Sequence, residues 1–287
     1  MAPVLRAIGL LLVCAAASLR AQDALAVSER ARALAPGEVV ALAAAAPAAV
    51  TAVRTVWRDR AVPFQRGTDG RWHALIGIDV EETPGPRSVR VVGVRPGASE
   101  LVAVHTFTVA PKQWRTRRLT VARRFVTPPA SALPRIREET ALLNALFRSP
   151  PTARQWDGAF ARPVEGVAVS GFGVRSILNG QPRGPHNGAD FAAGTGTPIV
   201  APAAGRVVYA RPFYYSGNTV ILDHGAGVLS TMAHLSAFDV AEGDVVARGD
   251  LLGKVGATGR VTGPHLHWAV RVLGARVDPE SLFTATE

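Results

Sequence analysis

Beyond its first two dozen residues this chain is built from short apolar or alternating runs, each closed by turn residues. Residues 39–42, 52–57, 72–78, 89–92 and 102–109 are such runs, separated by Pro36-Gly37, Thr68-Asp69-Gly70, residues 83–86 and Pro96-Gly97. Runs of roughly four to eight residues that change face at every second position are strand signals, whereas a helix needs a 3.6-residue period held over about ten or more. The chain is therefore expected to be mainly β. Strand spacing over residues 22–110 predicts an immunoglobulin-like β-sandwich. The alanine-rich stretch 43–49 imitates a helix, but Pro47 and the β-branched flanks argue against one. His73 and His105 fall inside strand patterns and read as surface or cavity residues.

One segment carries the helical period. Ile136, Leu142, Leu143, Leu146 and Phe147 approximate an apolar stripe that Pro150-Pro151 ends, which predicts a short helix over 134–147. It belongs to a linker, residues 111–160, that opens with Lys112, Arg115, Arg117, Arg118, Arg123 and Arg124. The plain reading of that cluster is a strand with a basic outer face. The sharper reading is electrostatic contact with an anionic envelope polymer or a membrane surface. A helix placed between two β-domains acts as a spacer or packs across a cleft. Residues 161–287 return to β patterning, with strand candidates at 199–200, 205–209, 219–222, 228–232, 245–246, 251–252 and 267–272.

Histidines 186, 224, 234, 265 and 267, five of the seven, fall in that last region. His265 and His267 are two residues apart and project to one side of a strand; His186 and Asp190, four apart, do the same if their segment is extended. Imidazole and carboxylate donors with one position left for water make a catalytic zinc site, whereas structural zinc closes its shell with four protein ligands, usually including cysteine. The single cysteine, Cys14, excludes a thiolate site. A lone His-x-His pair is more often a polar face or a satisfied core pair than a metal site. The clustering is what points to metal.

The motifs also follow a recognisable order. Phe172-Gly173-Val174-Arg175, His186-Asn187-Gly188-Ala189-Asp190-Phe191, residues 196–201, Gly217-Asn218-Thr219-Val220, Ala233-His234-Leu235-Ser236 and Gly263-Pro264-His265-Leu266-His267 resemble the lysostaphin/LytM-type zinc endopeptidases, over roughly residues 165–280. These enzymes cut peptide cross-links of bacterial peptidoglycan. The resemblance implies a LytM-type antiparallel β peptidase domain at 161–287, one Zn2+ per chain held by His186, Asp190 and His267, and peptidoglycan peptide stems as substrate. It makes His234 and His265 the catalytic histidines. Zinc lowers the pKa of its bound water to roughly 7 and polarises the scissile carbonyl; one imidazole then takes the water's proton and another stabilises the oxyanion. Strand geometry near His267 favours His265 as the base and His234 as the donor, although the roles are exchangeable. His224 is expected to be structural, and Asn187 to serve turn chemistry. Gly188 is expected to relieve crowding near the metal, and Gly256, Gly259 and Gly263 to permit tight loops. Met232 stands where the family often carries an aromatic, which questions substrate contacts on that side.

The formal charge is +10, carried almost wholly by arginine. No nucleic-acid motif accompanies it, so the envelope is the better partner. Residues 1–21 read as a signal peptide, with Arg6, an apolar run and Ala21 before the expected cut, implying export to the periplasm or cell envelope. Leu11-Leu12-Val13-Cys14 approximates a lipoprotein attachment site, but Val13 is bulky where a small residue is expected. Two other readings compete. A catalytically silent activator of other wall hydrolases would have lost ligands, and none of the five is missing. A carrier-like envelope adaptor of the lipoyl type needs a lysine at an exposed turn, and the candidate turns have none.

Overall fold

The structure, a computed structural model, describes residues 24–166 and 168–287; the expected signal segment and Cys14 lie outside the described residues. Strands β1 (Ala26–Arg30), β2 (Val39–Ala45), β3 (Ala52–Trp57), β4 (Arg60–Pro63), β5 (Gln65–Arg66), β6 (Trp72–Gly77), β7 (Gly85–Val94) and β8 (Leu101–Val109) form two antiparallel sheets, ordered β1-β2-β6-β5 and β4-β3-β7-β8. Alternation decides the faces: Val53, Thr55 and Trp57 of β3 are buried while Ala52, Arg54 and Val56 are exposed. Leu42 and Ile76 of one sheet pack in a common core with Val91 and Phe107 of the other, and the Trp57 indole donates across the gap to Gly77 O at 2.9 Å. The result is a two-sheet sandwich, with eight strands against the seven of an immunoglobulin constant domain. The alanine-rich stretch is strand as far as Ala45, because its alternate residues fill this core.

The linker is less passive than its charge suggests. Strand β9 (Thr116–Leu119) is followed by helix α1 (Leu133–Arg148), which starts with a proline in its first turn, where no intrahelical N–H is needed, and stops before Pro150. None of the α1 side chains is fully buried. Four polar or stacking contacts hold the helix at its edges: Arg135 to Pro212 O, Glu139 from Tyr214 N, Arg60 to Phe147 O, and Arg271 over the Phe147 ring at 4.1 Å.

The remaining strands are β10 (Ala168–Ser170), β11 (Arg175–Leu178), β12 (Gln181–Pro185), β13 (Gly188–Phe191), β14 (Pro198–Val200), β15 (Gly205–Phe213), β16 (Gly217–Gly225), β17 (Val228–Phe238), β18 (Val245–Val246), β19 (Leu251–Val255), β20 (Leu266–Val272) and β21 (Ala275–Val277), before a short helix α2 (Ser281–Thr286). The large sheet runs β10-β13-β20-β17-β16-β15-β18 and is antiparallel. A smaller sheet, β12-β11-β9, departs from the expected pattern: β9 pairs with β11 in parallel, Thr116 opposite Arg175 and Leu119 opposite Leu178. The basic stretch is thus only partly an outward face. Thr116 and Arg118 are exposed, while Arg117 and Leu119 are half-buried and line a groove in the C-terminal part.

The two β regions are clamped together. Arg276 of β21 binds Asp79 at 2.6 Å and Glu81 at 2.7 Å, Arg32 binds Asp278 at 2.6 Å, and Val39 N donates to Ser281 Oγ at 3.1 Å. One apolar cluster runs through both, from Leu42 and Ile76 to Val272, Val277 and Leu282.

Candidate metal centre

Strand pairing builds the centre. β13 lies against β20 with Asp190 opposite His267 and Ala189 opposite Trp268, so the carboxylate and the imidazole share one face. Ala233 of β17 faces His267 from the other side, which brings His234 near. His265 sits just before β20, bridged to Gly256, and Leu266 between the two histidines is fully buried on the opposite face. His186 falls in the break between β12 and β13, with its backbone N–H bonded to Val174 O at 2.9 Å. Gly188 permits the approach: a Cβ there would lie 2.4 Å from Trp268 O and 2.8 Å from the His267 ring.

His186 Nε2, His267 Nδ1 and one Asp190 oxygen converge. The two nitrogens are 3.1 Å apart, and Asp190 Oδ1 is 3.0 Å from the first and 2.9 Å from the second. Ligands about 2.0–2.1 Å from a tetrahedral zinc are spaced by about 3.3 Å, so the set is sized for such an ion. The tautomer agrees. His186 Nδ1 donates to Gly171 O at 3.1 Å, which leaves Nε2 a bare lone pair aimed at the other two acceptors. Three electron-pair donors held this close call for a cation.

Burial alone would raise the Asp190 carboxyl, but the close approach of the His186 and His267 rings outweighs it and holds the group well below the usual carboxylate range. Burial lowers His267, against the opposing pull of Asp190, which favours the neutral imidazole a ligand needs. Two further rings complete the cluster. His265 Nε2 is 3.8 Å from Asp190 Oδ1, and the His234 and His265 rings are 4.9 Å apart. His234 Nδ1 donates to Thr258 O at 2.8 Å and His265 Nδ1 to Gly263 O at 2.9 Å, so each neutral ring keeps its Nε2 as an acceptor. Burial, reinforced by His267 and His265, pushes His234 down to about 3.

All five expected residues line one groove of about 400 Å³. His224 is elsewhere, fully buried between Ala204 O at 2.8 Å and Ser230 Oγ at 2.9 Å. Met232 is also fully buried, opposite Trp268 in β20, so it does not face the groove. A Cβ on Gly256 or Gly259 would strike backbone at 2.5 and 2.4 Å, whereas Gly263 has open space. For the other walls, sequence reasoning offered only that the linker helix is a spacer or packs across a cleft. Ile136, Glu139 and Leu143 of α1 close one side, so the helix packs across a cleft. Arg183, Tyr215 and Arg260 line the same groove. Nothing but charge marked the arginines, in a chain rich in arginine throughout.

A family model described as Peptidase family M23 matches residues 184–279, which contain all five residues. Among curated proteins, peptidoglycan DD-endopeptidase ShyA of Vibrio cholerae is 46% identical over 94 residues, 33% of this chain and 22% of that protein. The DD-carboxypeptidase/endopeptidase Mpg of Neisseria meningitidis is 46% identical over 101 residues, 35% of this chain and 23% of that protein. The chain therefore spans less than a quarter of the length of these two curated relatives. A crystal structure assigned to peptidase M23 from Pseudomonas aeruginosa matches much further, with 34% identity and a TM-score of 0.68 over 88% of this chain and 96% of that one. With the family pattern on the groove and a solved relative followed almost end to end, the chain belongs to peptidase family M23.

Proposed function

We propose that the protein is an exported zinc endopeptidase that hydrolyses peptide cross-links of bacterial peptidoglycan. The observation that carries this is the meeting of His186, Asp190 and His267 within a ligand's spacing of one another, with His234 and His265 beside them. His186, Asp190 and His267 would hold the zinc, which would supply polarisation of the scissile carbonyl and acidification of a bound water. Asp190 and the two ligand imidazoles bring one negative charge and two neutral donors, which leaves the bound ion a net positive charge toward the substrate. His234 and His265, each with Nδ1 bonded to a backbone carbonyl and Nε2 left toward the groove, divide between them the removal of the attacking water's proton and the stabilisation of the oxyanion.

Residues 22–110 act as an accessory domain fixed to the peptidase, and 111–160 as an arm that forms one groove wall. The exposed arginines of that arm are suited to an anionic envelope polymer. The relatives' names point to a DD-linked peptide as substrate. The test is mass spectrometry of defined dimeric muropeptides incubated with zinc-loaded protein, a chelated sample and His186→Ala. Conversion of dimer to monomer by the zinc-loaded protein alone is expected. Dimers left intact by that sample would remove the hydrolase reading.

A further inference from the structure

Two groove arginines lack a counter-charge. Arg260 stacks on the Tyr215 ring at 4.9 Å, and its backbone N–H is pinned to Tyr215 O at 2.8 Å. Its loop is fixed further by Thr258, whose hydroxyl accepts from Asn218 N and donates to Leu235 O, both at 2.9 Å. Arg183 donates to Val126 O at 3.1 Å and to Gln181 Oε1 at 2.9 Å, neutral acceptors both. The carboxylates that line the groove are already engaged, Asp190 by His186 and His267, and Glu139 by Arg135 and Tyr214 N. Among the described residues neither Arg183 nor Arg260 forms an ion pair. Burial lowers Arg260 from its ordinary value, and the neighbouring charge of Arg183 adds to this. Two guanidinium groups that line the groove of the metal centre, Arg183 from β12 and Arg260 from a pinned loop, each without a carboxylate partner, offer positive charge to an entering anion.

We propose that Arg183 and Arg260 form a carboxylate-binding subsite, and that the enzyme selects cross-links carrying a free carboxylate next to the scissile amide. The choice of substrate rests on the hydrolase reading above. In a D-alanyl–diaminopimelate link the carbon bearing the scissile nitrogen keeps a free carboxylate; a glycine bridge has none there. A guanidinium fork matches that group bidentately, and the partly buried site strengthens the pairing. A carboxamide of the same shape supplies no charge and half the acceptors.

The experiment compares two dimeric muropeptides that differ only in that group, carboxylate or carboxamide. Metal-free full-length protein is titrated with each, so that binding is read without turnover, and zinc-loaded protein is assayed for cleavage in parallel. Wild type is expected to bind the acid about 10- to 100-fold more tightly than the amide. Arg183→Gln and Arg260→Gln should bring the two affinities together by weakening the acid alone, and Arg260→Lys should restore part of the difference. Zinc content and melting temperature identify any variant that fails to fold, and Arg183→Gln, which removes no ring stacking, is the safer of the two. Equal or undetectable binding of both dimers by wild type overturns the subsite, as does unchanged discrimination in the folded glutamine variants. Preferential binding of the acid without cleavage by zinc-loaded protein leaves the subsite standing and sinks the hydrolase reading instead.

Discussion

His234 occupies φ +70°, a left-handed conformation that few non-glycine residues adopt, where β17 slips in register between its partners β16 and β19. Its backbone N–H to Ser216 O and its Nδ1 to Thr258 O hold it there against the local preference. Strain at a ring aimed into the groove marks a positioned group. Replacing His234 or His265 with alanine is expected to lower kcat by about 10²- to 10⁴-fold while one zinc per chain is retained; metal analysis beside steady-state rates checks both halves, and His186→Ala should differ by losing the metal. Gly188→Ala forces a methyl against the Trp268 carbonyl and should cost about 1–3 kcal/mol in urea unfolding. His224 provides a pH-dependent case away from the metal. Burial lowers it to about 4 from an ordinary 6.5, so the unfolded chain takes up its proton first on acidification. Its contribution is present above pH 6.5 and is lost as pH falls toward 4, with a slope of up to about 1.4 kcal/mol per pH unit. In chelated protein, His224→Gln should flatten the fall in stability across that window; a slope matching wild type would show that the histidine is not its source.

At the scale of elements, what could be read from the sequence depended on how local the cause was. Residues 52–57, 228–232 and 267–272 are strands as their alternation predicts, and α1 extends the 134–147 helix by one residue at each end. His265 and His267 flank a buried Leu266 as a two-residue period requires. The 186–190 segment obeys a different cause. It is not one continuous strand, since Pro185 ends β12 and β13 starts at Gly188, and cross-strand register against β20 brings Asp190 to His267. Register is a long-range property that no local pattern carries. The parallel pairing of β9 with β11 was hidden for the same reason, and a cluster of charges concealed that Arg117 and Leu119 look inward. Helix α1 has a period but no deep core to serve, so its place over the groove rests on Glu139 and its neighbours. Glu139→Ala frees Tyr214 N and Arg135, and amide exchange across 133–148 should accelerate while exchange in β16 and β17 stays as it was.

For the whole molecule, the junction between sandwich and peptidase has the character of an interior. Gly77 of β6 is so close to Ala275 and Val272 that a Cβ would meet them at 2.8 and 3.0 Å, and the Asp79–Arg276 pair sits at its edge, three-quarters or more shielded on both sides. Arg276→Ala would leave Asp79 and Glu81 without their cation and should lower stability by about 1–3 kcal/mol. Because the apolar cluster is continuous, calorimetry should show that loss as one shifted transition; two separated melts would mean the halves unfold independently.

That continuity has a mechanical consequence. With the sandwich and the C-terminal β-region sharing one interior, they move as a single anvil, while helix α1 between them is held at its edges. Whatever room a bulky ligand requires at the histidines comes from displacing α1, not from parting the two β-blocks.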